Sequence, residues 1–508
     1  MIIRHVDASG QRVEADLFGT FAALARDEVA SFPALRPHQR QPWHAFLVQV
    51  AALALHRAGR ADLPQESAEW RRLLLALTPD WPGGEAWALV EDDWGKPALL
   101  QPPVARPGNA SDYRGRAETP DALDMLVTSK NHDLKAERMA GAGDDAWLFA
   151  LITLQTFEGQ MGAPNYGISR MNGGFGSRVA FGIRPDGRPG AQVSRDVIRL
   201  LAVRPSMLAR HPGLAENGSA LVWLEPWDGL ASRSFAGLDP FYLDTCRRVR
   251  IIGRTGVHQA RTAGSKVARI EAKDLAGLTG DPWAPVLADG TKSYGPTGAG
   301  FGYRQMARLM RPAEVTRPPL GDVALDEAAG SLAILATAIV RGQGKTEGFH
   351  ERRVPVPRRV MTRRRGLARV DAPVLDRAGG VAETRALEAG KMGYVLRRAL
   401  FAVLMGGTEK VRLDDASTDR KAAAWLRLFD SRVDATFFDA RFWDEVEGTA
   451  AAHRTLWRDG LRRIAEGVLD EAVEAAPRSE VKRVRAEAQA RNLFAGLAGA
   501  FVREAADA

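Results

Sequence analysis

Apolar residues run almost unbroken through PWHAFLVQVAALALHRAG, residues 42–59, interrupted by His44, Gln49, His56 and Arg57. The run is too short and too often broken for a membrane span, which needs about 20 mostly apolar residues. It predicts a buried helix, with Pro42 in the first turn and Gly59 at the end. DAWLFALITLQTF, from Asp145, predicts a second apolar helix that delivers the chain into a glycine-rich stretch. Ahead of both, IIRHV and QRVEA flank DASG and read as an opening hairpin. SALVWLEPW, YLDT and VRIIG read as buried or half-buried strands, and GDVALDEAAGSLAILATAIVRG as a further helix.

Beyond residue 375 the pattern becomes helical. The runs 382–405 and 418–434 are the first two candidates, with Ser417 as N-cap of the second. Leu456, Trp457, Leu461, Ile464 and Val468 mark a third, and Val481, Val484, Leu493, Leu497 and Phe501 a fourth. Four amphipathic helices with short connections predict a four-helix bundle. The fold class expected is therefore α+β: a mixed α/β N-terminal domain over 1–365, then a C-terminal helical bundle over 366–508. The segment 351–370 separates them, with eight arginines, one glutamate and two prolines.

Length and charge sharpen this picture. A chain of 508 residues exceeds one ordinary core. Its net charge of +8 favours polyanionic partners. Cys246 is the single cysteine, which excludes an intramolecular disulfide and a cysteine zinc cluster and fits a cytoplasmic protein. The N-terminus shows no signal-peptide pattern.

The enzyme signatures fail one by one. RGQGKT, 341–346, lacks the leading glycine of a P-loop, since that position is Ile339. GAGFG, 298–302, lacks dinucleotide spacing, and there is no GxSxG elbow. His44 and His56 read as satisfied core or rim histidines, and Asp92 and Asp93 as an exposed acidic turn. No catalytic residue, metal ligand or cofactor is expected.

Three segments remain as binding candidates. LVTSKNHDLKAERMAGAGDD, 126–145, carries Lys130, His132, Lys135 and Arg138; it reads as a surface loop or as an arm for a nucleic-acid backbone. Six glycines fall in the eighteen residues 159–176, more than one turn requires, with Arg170 and Arg178 as possible phosphate partners. In RGQGKTEGFHERRVPVPRR, Gln343 sits between glycines, where its amide could donate to and accept from base edges. The plainer reading of that segment is a solvated linker.

The ordered set of these parts resembles the large subunit of the type I-E CRISPR surveillance complex Cascade, the CasA family. The likeness spans nearly the whole chain: opening hairpin, AALAL helix, TSKNH loop, NYGISRMNGG, GDPWAP at 280–285, RGQGKTEGFHERR and terminal bundle. It implies a non-enzymatic subunit that reads the PAM of double-stranded target DNA, helps open the duplex, and offers a docking surface to a separate helicase-nuclease. Guide pairing reads the rest of the target. It implies CRISPR RNA and the backbone and small subunits as partners, and no membrane. Carried over, Gln160, Gly162, Ala163, Pro164 and Asn165 form the glycine loop. Gln343 is the wedge, with Gly344, Lys345 and Thr346 around it and Thr346 as its rival. Lys266 or Arg269 is the hairpin cation, and Lys130, Asn131 and His132 lie in the mobile loop. The loop here, GQMGAPNYG, departs from a near-pure glycine run, and Cys246 alone cannot supply a zinc cluster. Two other readings stay open: a basic scaffold binding only RNA and protein neighbours, and a nucleic-acid-processing enzyme with an unrecognised site.

Overall fold

The computed structural model describes residues 1–105, 107–124, 126, 142–159, 162–171, 178–254, 257–321, 331–342, 345–360, 362–364, 367–369, 372–407, 411–448, 450–476 and 480–503. They form two compact units: Met1–Phe301 with Ala313–Pro355, and Gly302–Pro312 with Val356–Ala508.

The first unit opens on the expected hairpin. β1 (Ile3–Asp7) pairs antiparallel with β2 (Arg12–Ala15). Asp7 Oδ1 accepts from the Ser9 and Gln11 amides and closes the turn. Asp16 caps α1 (Leu17–Ala25) through the Gly19 amide, and β3 (Val29–Ser31) takes the other edge of β1. α2 (Arg40–Arg57) is apolar on every face and is the core helix: every residue from Ala45 to Leu55 is at most 2% exposed. Its polar interruptions are satisfied internally. Gln49 Nε2 donates to the carbonyls of Phe241 and Tyr242, His44 Nε2 lies 2.7 Å from Asp196, and His56 Nε2 lies 2.9 Å from Glu216.

α3 (Ser67–Ala76), β4 (Gly115–Ala117) and α4 (Pro120–Leu123) lead to α5 (Asp144–Phe157), the second apolar helix. Its N-terminal acids are pinned. Arg4 grips Asp145 with two hydrogen bonds of 2.6 and 2.8 Å, and His258 Nε2 lies 2.8 Å from Asp144. β5 (Ala180–Pro185) and α6 (Pro189–Arg210) follow. β6 (Leu214–Leu221) runs parallel to β8 (Leu238–Leu243), and β7 (Arg233–Ser234) runs parallel to β11 (Ile270–Glu271). β9 (Arg248–Arg254) and β10 (Val257–Ala263) pair antiparallel, with β4 beyond β10. β12 (Val286–Leu287) pairs with β13 (Val315–Thr316).

One expected helix is a strand. GDVALDEAAGSLAILATAIVRG contains β14 (Leu332–Gly342), which lies between β5 and β15 (Lys345–Val356). Leu332, Ile334, Ala336 and Ala338 are buried, and so are Ala333, Ile339 and Val340. A strand covered on both faces shows a continuous apolar run that periodicity alone does not separate from a buried helix. The partner decides it: Ile334 lies opposite Ile183, and Ala336 opposite Phe181.

The second unit is helical. It holds α7 (Tyr303–Met310), the small hairpin of β16 (Thr362–Arg364) and β17 (Leu367–Arg369), then α8 (Ala372–Met405), α9 (Ala416–Thr436), α10 (Ala440–Glu447), α11 (Ala450–Glu474) and α12 (Glu480–Arg503). The long helices pack together as the expected bundle, with α8 against α7, α9, α10, α11 and α12. Arg385 of α8 is buried at its centre, lying over Trp457 and bonded to Glu445 and the Phe437 carbonyl. Two details differ from the sequence reading. The N-cap of α9 is Asp415, not Ser417, because its carboxylate reaches the Thr418 amide at 2.7 Å. The buried stripe of α12 is Ala486, Ala490, Phe494, Ala498 and Phe501, whereas Val481 and Val484 are exposed. Alanines permit close helix approach, and a search for large apolar residues passes over them.

Candidate nucleic-acid interface

The glycine-rich stretch leaves α5 as a loop with tied ends. The Ile168 amide donates to the carbonyl of Glu158, the residue that ends α5, at 3.0 Å. Near the tip, the Asn165 amide donates to the Gly162 carbonyl at 2.6 Å, and Gly162 takes a φ of +85°. That left-handed backbone suits glycine. Open space surrounds the position a Cβ would take, so the tip faces away from the body. Ala163, Pro164 and Asn165 are exposed.

The loop does not stand alone. Pro164 O accepts from Ser265 N at 3.1 Å and from its hydroxyl at 3.3 Å, and Tyr166 Oη donates to Lys266 O at 2.8 Å. A Cβ on Gly264 would come within 2.8 Å of the Pro164 ring, so this contact needs glycine. The turn Gly264-Ser265-Lys266, which follows β10, is held in turn by Lys266 N donating to Gly229 O at 2.7 Å. Two segments a hundred residues apart thus form one edge. Lys266 is exposed beside the loop, and a cavity of about 350 Å3 opens beneath, walled by Tyr166, Ile168, Met171, Lys266, Glu271 and Lys273.

The other hairpin cation is placed differently. Arg269 is 5% exposed; its guanidinium donates to the carbonyls of Val222, Glu225 and Pro226 and lies over Trp227. Burial pulls its pKa down to about 10. Arg269 therefore braces the 222–227 segment, whereas Lys266 lies at the surface.

Arg170 and Arg178 are also not phosphate partners. Arg170 is buried over the Tyr242 ring at 3.8 Å and donates to the Tyr242 carbonyl at 2.9 Å, with Asp244 3.8 Å away. Arg178 is buried in an ion pair with Asp281 and lies between Phe157 and Trp283. Burial opposes ionisation of Asp281, but the Arg178 and Arg170 charges, with hydrogen bonds from Arg178 and the Trp283 amide, together outweigh it and hold the carboxyl below the usual range. The GDPWAP segment therefore has a structural task. Its Asp281 and Trp283 hold the arginine on which the glycine-rich stretch returns to the body.

Several expected site residues lie outside the described residues: Gln160 of the glycine loop, Gln343 and Gly344 of the wedge, and Lys130, Asn131 and His132 of the basic loop. So does NGGFG at 172–176. Lys345 and Thr346 begin β15, and β14 and β15, which flank Gln343 and Gly344, are hydrogen-bonded neighbours. A P-loop lysine would instead open a helix. Cys246 is buried, and burial pushes its thiol up to about 12, far from a reactive thiolate. Among the described residues no three His, Cys, Asp or Glu gather as a metal site, and no helix is long and apolar enough to cross a membrane.

The geometry defines a two-unit α+β protein with an exposed, glycine-tipped loop clamped beside a lysine-bearing turn. No protein-family model matches the chain, and no curated protein matches it significantly. Solved structures do match. CasA of Thermus thermophilus matches at 17% identity with a TM-score of 0.63, over 98% of both chains. Cse1 of Acidimicrobium ferrooxidans matches at 15% identity and 0.59, over 99% of this chain and 97% of that one. A chain in a structure titled CRISPR RNA-guided surveillance complex matches at 16% identity and 0.52, over 97% of both. The fold of this chain is the CasA/Cse1 fold, from end to end.

Proposed function

We propose that the chain is the large, CasA-type subunit of a type I-E CRISPR RNA-guided surveillance complex, where it reads the PAM of double-stranded DNA by binding rather than by catalysis. One observation carries the reading: within a CasA/Cse1 fold, the 162–166 loop, exposed at Ala163, Pro164 and Asn165, is locked to the turn that presents Lys266. The tip offers bare backbone at Gly162, the side-chain amide of Asn165 and three ammonium donors on Lys266. Minor-groove edges present mainly the acceptors of A·T pairs, with the guanine amine as the exception. Such a tip discriminates loosely and tolerates several PAMs. CRISPR RNA, the backbone and small subunits, and a helicase-nuclease recruited after target binding complete the reading.

A PAM library presented to the reconstituted complex tests it. Wild type should select among the few base pairs beside a guide-matched target, and Lys266→Ala should bind the selected duplexes about tenfold more weakly, the scale of one lost charge-assisted hydrogen bond. Binding indifferent to those base pairs would leave a scaffold, and metal-dependent cleavage by the isolated chain would favour an enzyme.

Gln343 is assigned to prying open the first base step. Insertion at a step costs a few kcal/mol in unstacking, which new contacts must offset. Gln343→Ala should leave complex assembly intact and slow R-loop formation by about tenfold or more, measured by permanganate reactivity of the displaced strand. Wild-type opening kinetics would move the wedge to Thr346 or elsewhere.

A further inference from the structure

In the first unit, a cavity of about 220 Å3 lies where the start of α2 meets the stem strands β5, β14 and β15. Its wall includes Arg40, Gln41, Arg184 and Arg353. Arg353 is committed to Asp186 at the mouth. The other three donors are not committed. Arg184, on β5, is half-buried, and its side chain has no hydrogen bond or ion pair among the described residues. Asp196 influences it through space, but that carboxylate is already bonded to His44 at 2.7 Å and to Arg195 at 2.9 Å. Gln41 is 7% exposed, and its Nε2 has no partner among the described residues. Arg40, exposed at the rim, likewise has none among the described residues. The remaining acid, Glu351, is exposed, where water screens it.

A buried polar group left unpaired, such as the Gln41 amide, calls for an explanation, and the half-buried Arg184 guanidinium beside it keeps its donors open to a ligand. Here two guanidinium groups and an amide, all donors, border one cavity. We propose that this cavity binds a phosphate group, held by Arg184 and Arg40 with the Gln41 amide as a neutral donor. The planar arginine fork matches phosphate oxygens in pairs. The phosphate comes either from free phosphate or from a polynucleotide backbone, and in both cases it ties α2 to the stem of the β14–β15 strand pair. The proposal goes beyond the PAM reading and does not depend on it.

Thermal unfolding of the full chain tests the site. Inorganic phosphate and a short oligothymidylate are the two probes, each compared with sodium chloride at matched ionic strength. At tenfold excess over Kd, the effective probe should raise Tm by about 1–2 °C. Arg184→Met should raise Tm in plain buffer, because it removes an uncompensated charge, and should erase the increment. A purely structural Arg184 would do the reverse. Arg40→Ala, at the exposed rim, leaves the packed wall untouched and should shift half-saturation to about tenfold higher probe concentration. A shift with phosphate alone assigns the free ion. A shift with the oligonucleotide alone, lost in both variants, assigns the backbone. No ion-specific shift with either probe, or increments unchanged in both variants, overturns the proposal.

Discussion

Gly162→Trp in the reconstituted complex should abolish binding to PAM-bearing duplex, by about a hundredfold or more, while leaving a complementary single strand bound at near wild-type affinity. Two causes act together. The φ of +85° disfavours any L side chain by about 1–2 kcal/mol, which displaces the tip. The open space around the position then sends the indole outward, into the volume a groove wall would occupy. The minor groove of B-DNA is only about 6 Å wide, so a large ring there excludes the backbone approach. Folding should survive, because Ala163, Pro164 and Asn165 are exposed and the loop is held at its neck by Glu158 and Ile168 and at its side by Ser265 and Lys266. The single strand serves as the control, since guide pairing needs no groove reading. Electrophoretic binding to both targets decides it: if duplex and single strand both bind normally, Gly162 is not at the groove.

Asp281→Asn should cost the first unit about 3–5 kcal/mol of stability at pH 7. The substitution keeps the shape and removes the charge that compensates Arg178, which is itself buried between Phe157 and Trp283. Denaturant unfolding followed by tryptophan fluorescence measures the loss. The pH dependence gives a second readout. The folded carboxyl of Asp281 titrates below its usual range, so its stabilisation is present above the unfolded value of about 4 and is lost as pH falls through the lower, folded value. The Asn variant should lack that acid-side decline. A difference under about 1 kcal/mol between wild type and variant would mean that Arg178 relaxes to water, and that the glycine-rich stretch has no fixed anchor.

The two results address different parts of one device. Asp281, Trp283 and Arg178 hold the returning end of the glycine-rich stretch, while Ser265 and Lys266 hold its exposed side. Charge count alone misleads here. Arg170 and Arg178 are buried, although they lie in or beside a segment whose composition points to phosphate binding, and Arg269, which the resemblance offers as a hairpin cation, is buried too. Lys266 differs from them in being at the surface.

Elements whose patterns are local can be read from the chain alone. The opening hairpin, the apolar helices α2 and α5 and the long helices of the second unit follow from alternation, helical spacing and turn residues within each segment. The sequence also limited the chemistry, because a missing glycine or a single cysteine is visible without coordinates. The tertiary structure decided what depends on a distant partner. Pairing with β5 made LAILATAIV a strand, and the carbonyls of 222–226 took Arg269 inward. The same holds for the edge on which the proposed function turns, since nothing in GAPNYG announces that Pro164 and Tyr166 rest on Ser265 and Lys266. Hydrogen bonds across a hundred residues leave no periodic trace in a chain; they exist only once α5 and β10 have been packed into one body.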